Sequence, residues 1–227
     1  MANKEAFKYI FLLLIQRIIG IGLFFVAAGT FHDMRGNVNV SLYFVVSVIS
    51  LVLMLSGYRD TLSERSKKQD NTKKWDKILL PLLVLFVYYG IYFIAGLSIR
   101  FHWSRLPIEY FYAGIILYLL SCIFIVWPVL ENKYFEETSR IQNNRAQTVI
   151  TTGPYKIIRH PGYSGILIWS IASYLMFGTL AVGTVSLVII IIICIRTHKE
   201  DKMLKEELPG YLEYSKIVKY RLIPFIF

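Results

Sequence analysis

Cysteine and histidine are scarce in this sequence, and their scarcity limits the chemistry it can carry. The two cysteines, Cys122 and Cys194, both lie in apolar stretches and have the spacing of neither a metal site nor a redox motif. Three of the four histidines, His32, His102 and His198, also lack the spacing of metal ligands. The sequence therefore predicts that the cysteines are small packing residues and that the protein holds no metal ion.

Charged residues are also few. Asp, Glu, Lys and Arg make up 18% of the chain, whereas 56% of it is hydrophobic. Ordinary soluble domains carry about 25% charged residues, so this chain is too apolar for that class. Lysine and arginine outnumber the acidic residues by 25 to 15 but are dispersed over several polar loops, which argues against a nucleic-acid partner. No apolar segment has the paired acidic residues of an ion pathway, so a transporter is disfavoured. The composition predicts a multi-pass protein in contact with membrane lipids.

Four apolar segments precede residue 131, and each has about the 20 residues that cross a bilayer as a helix. They are predicted over residues 7–31, 40–58, 78–99 and 108–127. Arg17 falls in the first segment, where we expect its long side chain to extend toward the nearer interface; a partner on another helix is the alternative. A polar stretch, residues 59–77, follows the second segment. We therefore expect a four-helix N-terminal membrane region over 1–130 and a second region over 131–227.

The last apolar stretch, residues 162–195, fits either one oversized tilted helix or two short helices in a tight hairpin. A hairpin makes six crossings, which leaves only Arg35, Arg100 and Arg105 on the side opposite the other basic residues. The positive-inside rule favours that arrangement. The predicted fold is therefore all-α: a polytopic membrane helical bundle of about six transmembrane helices with a C-terminal helical hairpin. Both termini are expected to be cytoplasmic.

Turn-forming and polar residues interrupt the apolar pattern over residues 153–165, Gly-Pro-Tyr-Lys-Ile-Ile-Arg-His-Pro-Gly-Tyr-Ser-Gly. Pro154 and Pro161 each remove a backbone donor and disfavour helix in the residue before them, so this segment cannot continue a lipid-facing helix. Such backbone is tolerated near a bilayer only where protein or water satisfies its polar groups. The segment predicts a structured turn that borders a pocket at the membrane surface.

Arg196 and Glu200 follow the last apolar stretch, four residues apart. If the final helix continues past the membrane, both side chains project from one face of it. A planar guanidinium matches a carboxylate, and a carboxylate accepts strong hydrogen bonds from an ammonium group. The spacing by itself is also that of an ordinary helical salt bridge, and Asp201 is expected to point elsewhere.

These motifs resemble the isoprenylcysteine carboxyl methyltransferases and the bacterial and archaeal membrane methyltransferases similar to them. The resemblance covers roughly residues 132–224 and rests on a Gly-x-Tyr-x-x-x-Arg-His-Pro-x-Tyr-x-Gly pattern, an arginine and a glutamate after a membrane hairpin, and a Tyr-x-x-Tyr before a proline-containing tail. The matching residues are Asn132, Ile141, Gln142, Gly153, Tyr155, Arg159, His160, Pro161, Tyr163, Gly165, Arg196, Glu200, Tyr211, Tyr214 and residues 221–224.

The resemblance implies a pocket for S-adenosyl-L-methionine at the cytoplasmic end of the hairpin, closed by the connector and the tail. The implied cofactor-binding residues are Gln142, Gln147, Thr148, Val149, Ile150, Tyr155, His160, Pro161, Gly162, Tyr163 and Glu200. The implied catalytic residue is Arg196, which would face the carboxylate of a lipophilic small-molecule or lipid-linked acceptor. A carboxylate acceptor needs no general base because it is already ionised near neutral pH, whereas an amine acceptor would need one, with His160 the first candidate.

Three alternatives stay open beside carboxyl O-methylation. Looser forms of the Arg-His-Pro-x-Tyr-x-Gly pattern are shared with phospholipid N-methyltransferases and with sterol reductases that use NADPH. A non-catalytic membrane protein is the third alternative. The later Arg196 and Glu200, together with the tail pattern, favour the isoprenylcysteine type.

Overall fold

A computed structural model describes residues 2–57, 65 and 71–227, and the side chains of residues 7–53, 65 and 71–227. Of the predicted polar stretch 59–77, residues 59–64 and 66–70 lie outside the described residues. The helices are α1 (Ala2–Ala28), α2 (Met34–Gly57), α3 (Asp76–Leu85), α4 (Ile91–Arg100), α5 (Ile108–Glu131), α6 (Pro161–Phe177), α7 (Leu180–Glu207) and α8 (Tyr211–Ile217). A π-helical turn, Phe86–Gly90, joins α3 to α4, and short 3-10 turns occur at Asn143–Arg145 and Gly153–Lys156.

Five helical stretches among the described residues are long and apolar enough to cross a membrane. They are Phe7–Ala28, Met34–Leu53, Asp76–Arg100, Ile108–Glu131 and Leu180–Glu207. The sixth predicted crossing is α6, which has 17 residues and so lies at the short end of the spanning range. The prediction of an all-α membrane bundle with about six transmembrane helices is confirmed.

Capping explains why the observed helices extend beyond the predicted apolar segments. Helix α2 begins at Met34 rather than at residue 40, because the Asp33 side chain accepts a hydrogen bond from Gly36 N at 2.8 Å and satisfies the first turn. A pattern based on apolar residues alone misses this extension, since Arg35, Asn37 and Asn39 interrupt the added turns.

The C-terminal hairpin is confirmed. Helix α6 ends at Gly178, whose φ of 75° is left-handed and whose N–H donates to Tyr174 O at 2.7 Å. Thr179 then caps α7 through a side-chain hydrogen bond from Val182 N. Helix α7 continues past its apolar half to Glu207, so Arg196 and Glu200 both lie on it.

The core crosses the boundary predicted near residue 130. Phe24, Tyr92 and Phe111 from the first region pack in one buried cluster with Trp169 and Ile193 from the second. Cys122 and Cys194 are free and pack against this cluster, as predicted. The division into two regions stays a prediction.

Helices α5 and α6 pack very closely, because Gly165 lies against the backbone of α5. A Cβ at Gly165 would lie 2.8 Å from Ile125 N and 2.8 Å from Phe124 C. Small residues are the usual means by which membrane helices approach each other this closely. The contact holds the start of α6 beside the end of α5, where the connector begins.

The beginning of α1, the connector and the C-terminal tail all lie at one end of the bundle. Tyr9 Oη donates to Glu137 Oε1 at 2.7 Å, and Arg159 N donates to Tyr220 O at 3.0 Å. We call this the pocket end. Its assignment to the cytoplasm stays a prediction.

The opposite end carries the three arginines predicted to lie there. Arg105 pairs with Asp33 at 2.6 Å, and Arg35 Nη1 donates to Leu106 O at 2.9 Å. Arg100 Nη2 donates to Val26 O at 2.7 Å.

The expected extension of Arg17 toward the interface is wrong. Its guanidinium instead lies 4.6 Å from the ring centre of Tyr88, on the π turn, and Nη2 is 3.5 Å from the Tyr88 hydroxyl. The alternative, a partner on another helix, is what the structure contains.

Candidate active site

A cavity of about 860 Å³, including the space open to solvent, lies at the pocket end. All eleven residues predicted to bind the cofactor line it: Gln142, Gln147, Thr148, Val149, Ile150, Tyr155, His160, Pro161, Gly162, Tyr163 and Glu200. The structure thus brings together every residue of that set, and their role toward a cofactor stays a prediction.

The predicted turn over residues 153–165 forms one wall of this cavity. Gly153 has a left-handed φ of 55°, and a Cβ there would lie 2.7 Å from Glu131 Oε2. His160 precedes α6, and Pro161 occupies its first position, where a missing N–H costs nothing. The His160 carbonyl accepts from Tyr163 N at 3.1 Å, so the turn leads directly into the helix.

Glu200 is positioned by two hydroxyl groups that leave part of its carboxylate available. Tyr163 Oη donates to Oε2 at 2.6 Å and Ser139 Oγ donates to the same oxygen at 3.2 Å. Within the described residues Oε1 accepts no hydrogen bond, so it can accept one from a ligand. Thr138 lines the same cavity, and its buried Oγ1 is also without a partner in the part of the chain that the structure describes.

Tyr155 is held by hydrogen bonds at its side-chain hydroxyl and at its backbone carbonyl. Asn132 Nδ2 donates to its hydroxyl at 3.2 Å, and Tyr214 Oη donates to its carbonyl at 2.6 Å. Burial raises the pKa of Tyr155 well above its ordinary value, and the negative charge of Glu200 raises it further. The ring is therefore a neutral, fixed aromatic surface in the cavity wall.

Arg159, the arginine of the motif, is buried in the cavity lining and joins distant parts of the chain. Its Nε and Nη2 donate to the two carboxylate oxygens of Asp201 at 2.7 and 3.1 Å, and Nη1 donates to the carbonyls of Val218 and Lys219 at 2.6 and 2.8 Å. Burial lowers the pKa of Arg159, but the bonds to Asp201 outweigh burial and raise that pKa above its ordinary value. The motif thus joins α7 to the tail.

Asp201 is the centre of this network, and sequence reasoning gave it no role. It also accepts from Tyr211 Oη at 3.1 Å and pairs with Lys205 and Arg221 at 3.0 and 3.2 Å. Burial, with the charge of Asp201 added, raises the pKa of Tyr211, so its hydroxyl stays protonated and donates. The acidic residue directly after Glu200 was the available signal, but spacing alone did not place it opposite Arg159.

His160 faces the same network. Its Nε2 lies 3.4 Å from Tyr211 Oη and 3.5 Å from Asp201 Oδ1, and its ring stacks on that of Tyr163 with centroids 5.9 Å apart. Tyr211 and Tyr214, which packing of a surface helix would also explain, are both buried and line the cavity.

Comparison with known protein families matches residues 114–206 to the isoprenylcysteine carboxyl methyltransferase (ICMT) family. The match covers less than half of the chain. The matched segment begins in α5 and includes the connector, α6 and α7 up to Glu206, so it contains Arg196 and every one of the eleven cavity-lining residues. Helix α8 and the tail lie beyond it.

Individual relatives match a shorter part of the chain. A probable protein-S-isoprenylcysteine O-methyltransferase of Oryza sativa subsp. indica is 32% identical over 66 residues, which are 29% of this chain and 35% of the relative. Protein-S-isoprenylcysteine O-methyltransferase B of Arabidopsis thaliana is 35% identical over 48 residues, 21% of this chain and 24% of the relative. The chain therefore matches only about a third or less of the length of these relatives.

Arg196, the last residue predicted for the ICMT site, is paired inside the protein. Its Nε donates to Asp76 Oδ1 at 2.8 Å and its Nη2 donates to Glu137 O at 2.7 Å. The guanidinium also lies 5.4 Å from the ring centre of Tyr163. Among the described residues Nη1 donates to none, so one donor group remains for a ligand. Asp76 is fully buried and was not foreseen, because an acid at the start of an apolar segment is unremarkable.

Arg196 lines a second cavity, which is largely apolar and lies within the helical bundle. This apolar cavity has a volume of about 1520 Å³, including the space open to solvent, and is bordered by α1, α2, α3, α5, α6 and α7. It shares Phe135, Glu136, Gly162 and Tyr163 with the first cavity. The polar cavity and the apolar cavity thus adjoin each other at these four residues.

Several lining residues of the first cavity were missed by sequence reasoning. They are Tyr134, Phe135, Glu136, Thr138, Arg140, Met203, Leu204 and Leu208. Glu136 and Arg140 form a buried pair at 2.8 Å, four residues apart in the connector. Connector residues without a regular period offer no pattern from which their orientation can be predicted.

Proposed function

We propose that this chain is an integral membrane methyltransferase that uses S-adenosyl-L-methionine to methylate a carboxylate on a lipophilic or lipid-linked acceptor. The observation that carries the proposal is the shared wall: the polar cavity, lined by all the predicted cofactor residues, adjoins an apolar cavity at Gly162 and Tyr163. A water-soluble donor and a membrane-soluble acceptor can meet at such a wall. The ICMT family match and the names of the relatives support the same reaction class.

The polar cavity fits the groups of S-adenosyl-L-methionine. Glu200 Oε1 would accept from the ammonium group, and the unpartnered Thr138 Oγ1 would bind a polar group beside it. Tyr155 offers an aromatic surface for a cationic group, whereas the Tyr163 ring already carries the Arg196 guanidinium. When bound, the cofactor supplies an electrophilic methyl group on a positively charged sulfur.

Catalysis in this proposal rests on position and on exclusion of water. The Arg196 guanidinium, held by Asp76 and Glu137 O, would orient the acceptor carboxylate with its remaining Nη1. Orientation of two reactants in a fixed geometry lowers barriers by up to about 7–11 kcal/mol in favourable intramolecular cases. Burial of Arg196 keeps this group dry, so its interaction with the carboxylate is little weakened by solvent.

The position of His160 favours a carboxylate acceptor over an amine. An amine needs a general base near the acceptor, yet His160 Nε2 faces Asp201 and Tyr211 rather than the apolar cavity. The described residues that line the apolar cavity include no histidine. Phospholipid N-methylation is therefore the second candidate, and NADPH-dependent reduction the third.

The first test is calorimetric titration of the purified protein with S-adenosylhomocysteine. Glu200→Ala should weaken the affinity by about 10- to 150-fold, because it removes a charge-assisted hydrogen bond. The matched control is Glu206→Ala, which alters an exposed glutamate on the same helix and should leave the affinity unchanged. Equal affinities of the wild type and Glu200→Ala would remove Glu200 from the site. Binding of NADPH in place of S-adenosylhomocysteine would overturn the methyltransferase assignment.

The second test concerns the acceptor. Arg196→Lys should spare the affinity for S-adenosylhomocysteine and raise the apparent KM for a carboxylate acceptor, because lysine keeps the charge that faces Asp76 but lacks the planar fork. An unaffected KM would argue that the acceptor uses another group. Lysine is preferable to alanine, because alanine would leave buried Asp76 without a counter-charge.

A further inference from the structure

Arg17 is a cation in the middle of a membrane-spanning helix, and no described residue forms an ion pair with it. Glu137, which lines the same cavity, acts on it electrostatically without contacting it. It lies near the centre of the span Phe7–Ala28. No carboxylate of the described residues lies within ion-pair distance, and the hydrogen bonds of the guanidinium go to Gln16 Oε1 at 3.2 Å and to the Tyr88 hydroxyl at 3.5 Å. Its Nε is buried with no partner among the described residues. A charge at this depth is costly, and it usually marks the path or the site of a ligand.

A second unpartnered donor lies beside it. The Tyr43 ring centre is 5.9 Å from the Arg17 guanidinium, and the Tyr43 hydroxyl is buried without a hydrogen bond in the part of the chain that the structure describes. Tyr43 itself is 6% exposed. Arg17, Tyr43 and Tyr88 all line the apolar cavity. Two residues that line one cavity therefore each carry a donor without a partner among the described residues, and both donor types suit the oxygens of an anion.

The backbone beside Arg17 and Tyr43 contains a π-helical turn and a close approach between two helices. Tyr88 belongs to the π turn Phe86–Gly90, and such turns inside helices are frequent at functional sites. Helix α1 approaches that turn at Gly20, where a Cβ would collide with Tyr88 O. Gly20 and the π turn together hold the Arg17 guanidinium against the Tyr88 ring.

The other arginines of the apolar cavity are already engaged. Arg196 pairs with Asp76 at 2.8 Å, and Arg65 donates through Nε and Nη2 to Phe135 O at 3.0 and 2.7 Å. Arg17 thus has the weakest set of protein partners of the three.

We propose that the apolar cavity binds an amphiphile whose carboxylate or phosphate is held by Arg17 and Tyr43. The anion neutralises Arg17 and uses both unpartnered donors, and the alkyl part of the amphiphile contacts the apolar lining. The site is deep: from Gly162 to Trp169, two residues of α6 that line the cavity, the helix rises about 10 Å at about 1.5 Å per residue. If this amphiphile is the methyl acceptor, which rests on the proposed function, it carries an acidic group apart from the end that is methylated.

The test measures displacement of a dansyl-labelled undecanoate from the protein in phosphatidylcholine nanodiscs, with no methyl donor present. The competitors are dodecanoate, dodecyl phosphate and dodecanol, which share the alkyl chain and differ in charge. We expect the wild type to bind the two anions at least about tenfold more tightly than the alcohol, because hydrogen bonds to a charged group are worth that much. Arg17→Gln should reduce the preference to the part that Arg196, which lines the same cavity, supplies. It should leave dodecanol affinity unchanged, which also shows that the cavity is intact.

Two further variants keep the proposal falsifiable. Arg100→Gln removes a guanidinium at the opposite end, where it donates only to Val26 O among the described residues, and should retain the full preference. Tyr43→Phe removes the unpartnered hydroxyl alone and should lower the anion affinity a few-fold. Equal binding of dodecanoate and dodecanol by the wild type, or a preference retained in full in Arg17→Gln, would overturn the proposal.

The source of the anion and the proposed function are tested separately. Addition of phosphatidylglycerol to the nanodiscs should displace the probe if a bilayer lipid supplies the anion, and should leave it bound if a free amphiphile does. If the wild-type protein does not bind S-adenosylhomocysteine but keeps its preference for anions, the methyltransferase proposal is refuted and the proposal of an anion site is retained.

Discussion

Replacement of Asp201 by asparagine should separate the C-terminal tail from the bundle. Asp201 is 1% exposed and receives hydrogen bonds from Arg159, Tyr211 and Arg221. Arg159 in turn holds the carbonyls of Val218 and Lys219. Asparagine has nearly the same shape but offers one acceptor oxygen and no charge, so it leaves the buried Arg159 guanidinium without its counter-ion.

The magnitude follows from the burial of the pair. Both side chains of the Arg159–Asp201 pair are at most 3% exposed. Removal of one partner of such a pair costs about 3–5 kcal/mol, because the remaining charge stays buried and unpaired. Since asparagine keeps one acceptor for Arg159 or Tyr211, we expect about 3 kcal/mol.

The assay is equilibrium unfolding in mixed micelles of dodecyl maltoside and dodecyl sulfate, read by tryptophan fluorescence. The control variant is Glu206→Gln, which removes an exposed pair with Lys202 at 3.8 Å and should cost less than about 1 kcal/mol. The Asp201→Asn protein should also be cut sooner by protease within the tail. Wild-type stability and wild-type protease resistance in Asp201→Asn would refute the view that this network holds the tail.

Two other substitutions test the packing around the site. Tyr163→Phe removes the 2.6 Å hydrogen bond to Glu200, and we expect about tenfold weaker binding of S-adenosylhomocysteine in calorimetry; an unchanged Kd would mean that Glu200 needs no such support. Gly165→Ala places a Cβ 2.8 Å from Ile125 N and should destabilise the bundle by about 1–3 kcal/mol in the same micelle assay. Gly22→Ala, where a Cβ would have nothing within 4 Å, should be neutral or slightly stabilising, so similar losses in the two variants would contradict the packing argument.

Part of the candidate site could be predicted because its residues are close in sequence and are constrained locally. Pro161 can begin α6 but cannot continue a preceding helix, so the segment before it had to be a turn. Glu200 follows Arg196 by one helical turn, so a helix that continued past the membrane would present both from the same face. These inferences needed no knowledge of the packing.

The partners of those residues could not be predicted, because they come from distant parts of the chain. Asp76 meets Arg196 across 120 positions, and Asp201 meets Arg159 across 42. Arg17 was expected to extend to the interface, and it lies instead against Tyr88, 71 positions away. A single sequence carries no signal that shows which of its distant residues contact each other.

The sequence by itself determined the class of the protein and the number of its membrane helices. A run of about 20 apolar residues in a bilayer must satisfy its backbone internally, and a helix does this whatever its neighbours are. Only the tertiary structure decided which charged side chains pair with each other and which, like Arg17, have no ion-pair partner among the described residues. The reason is that pairing depends on how helices approach and rotate against one another, and contacts such as that of Gly165 with the backbone of α5 set this approach.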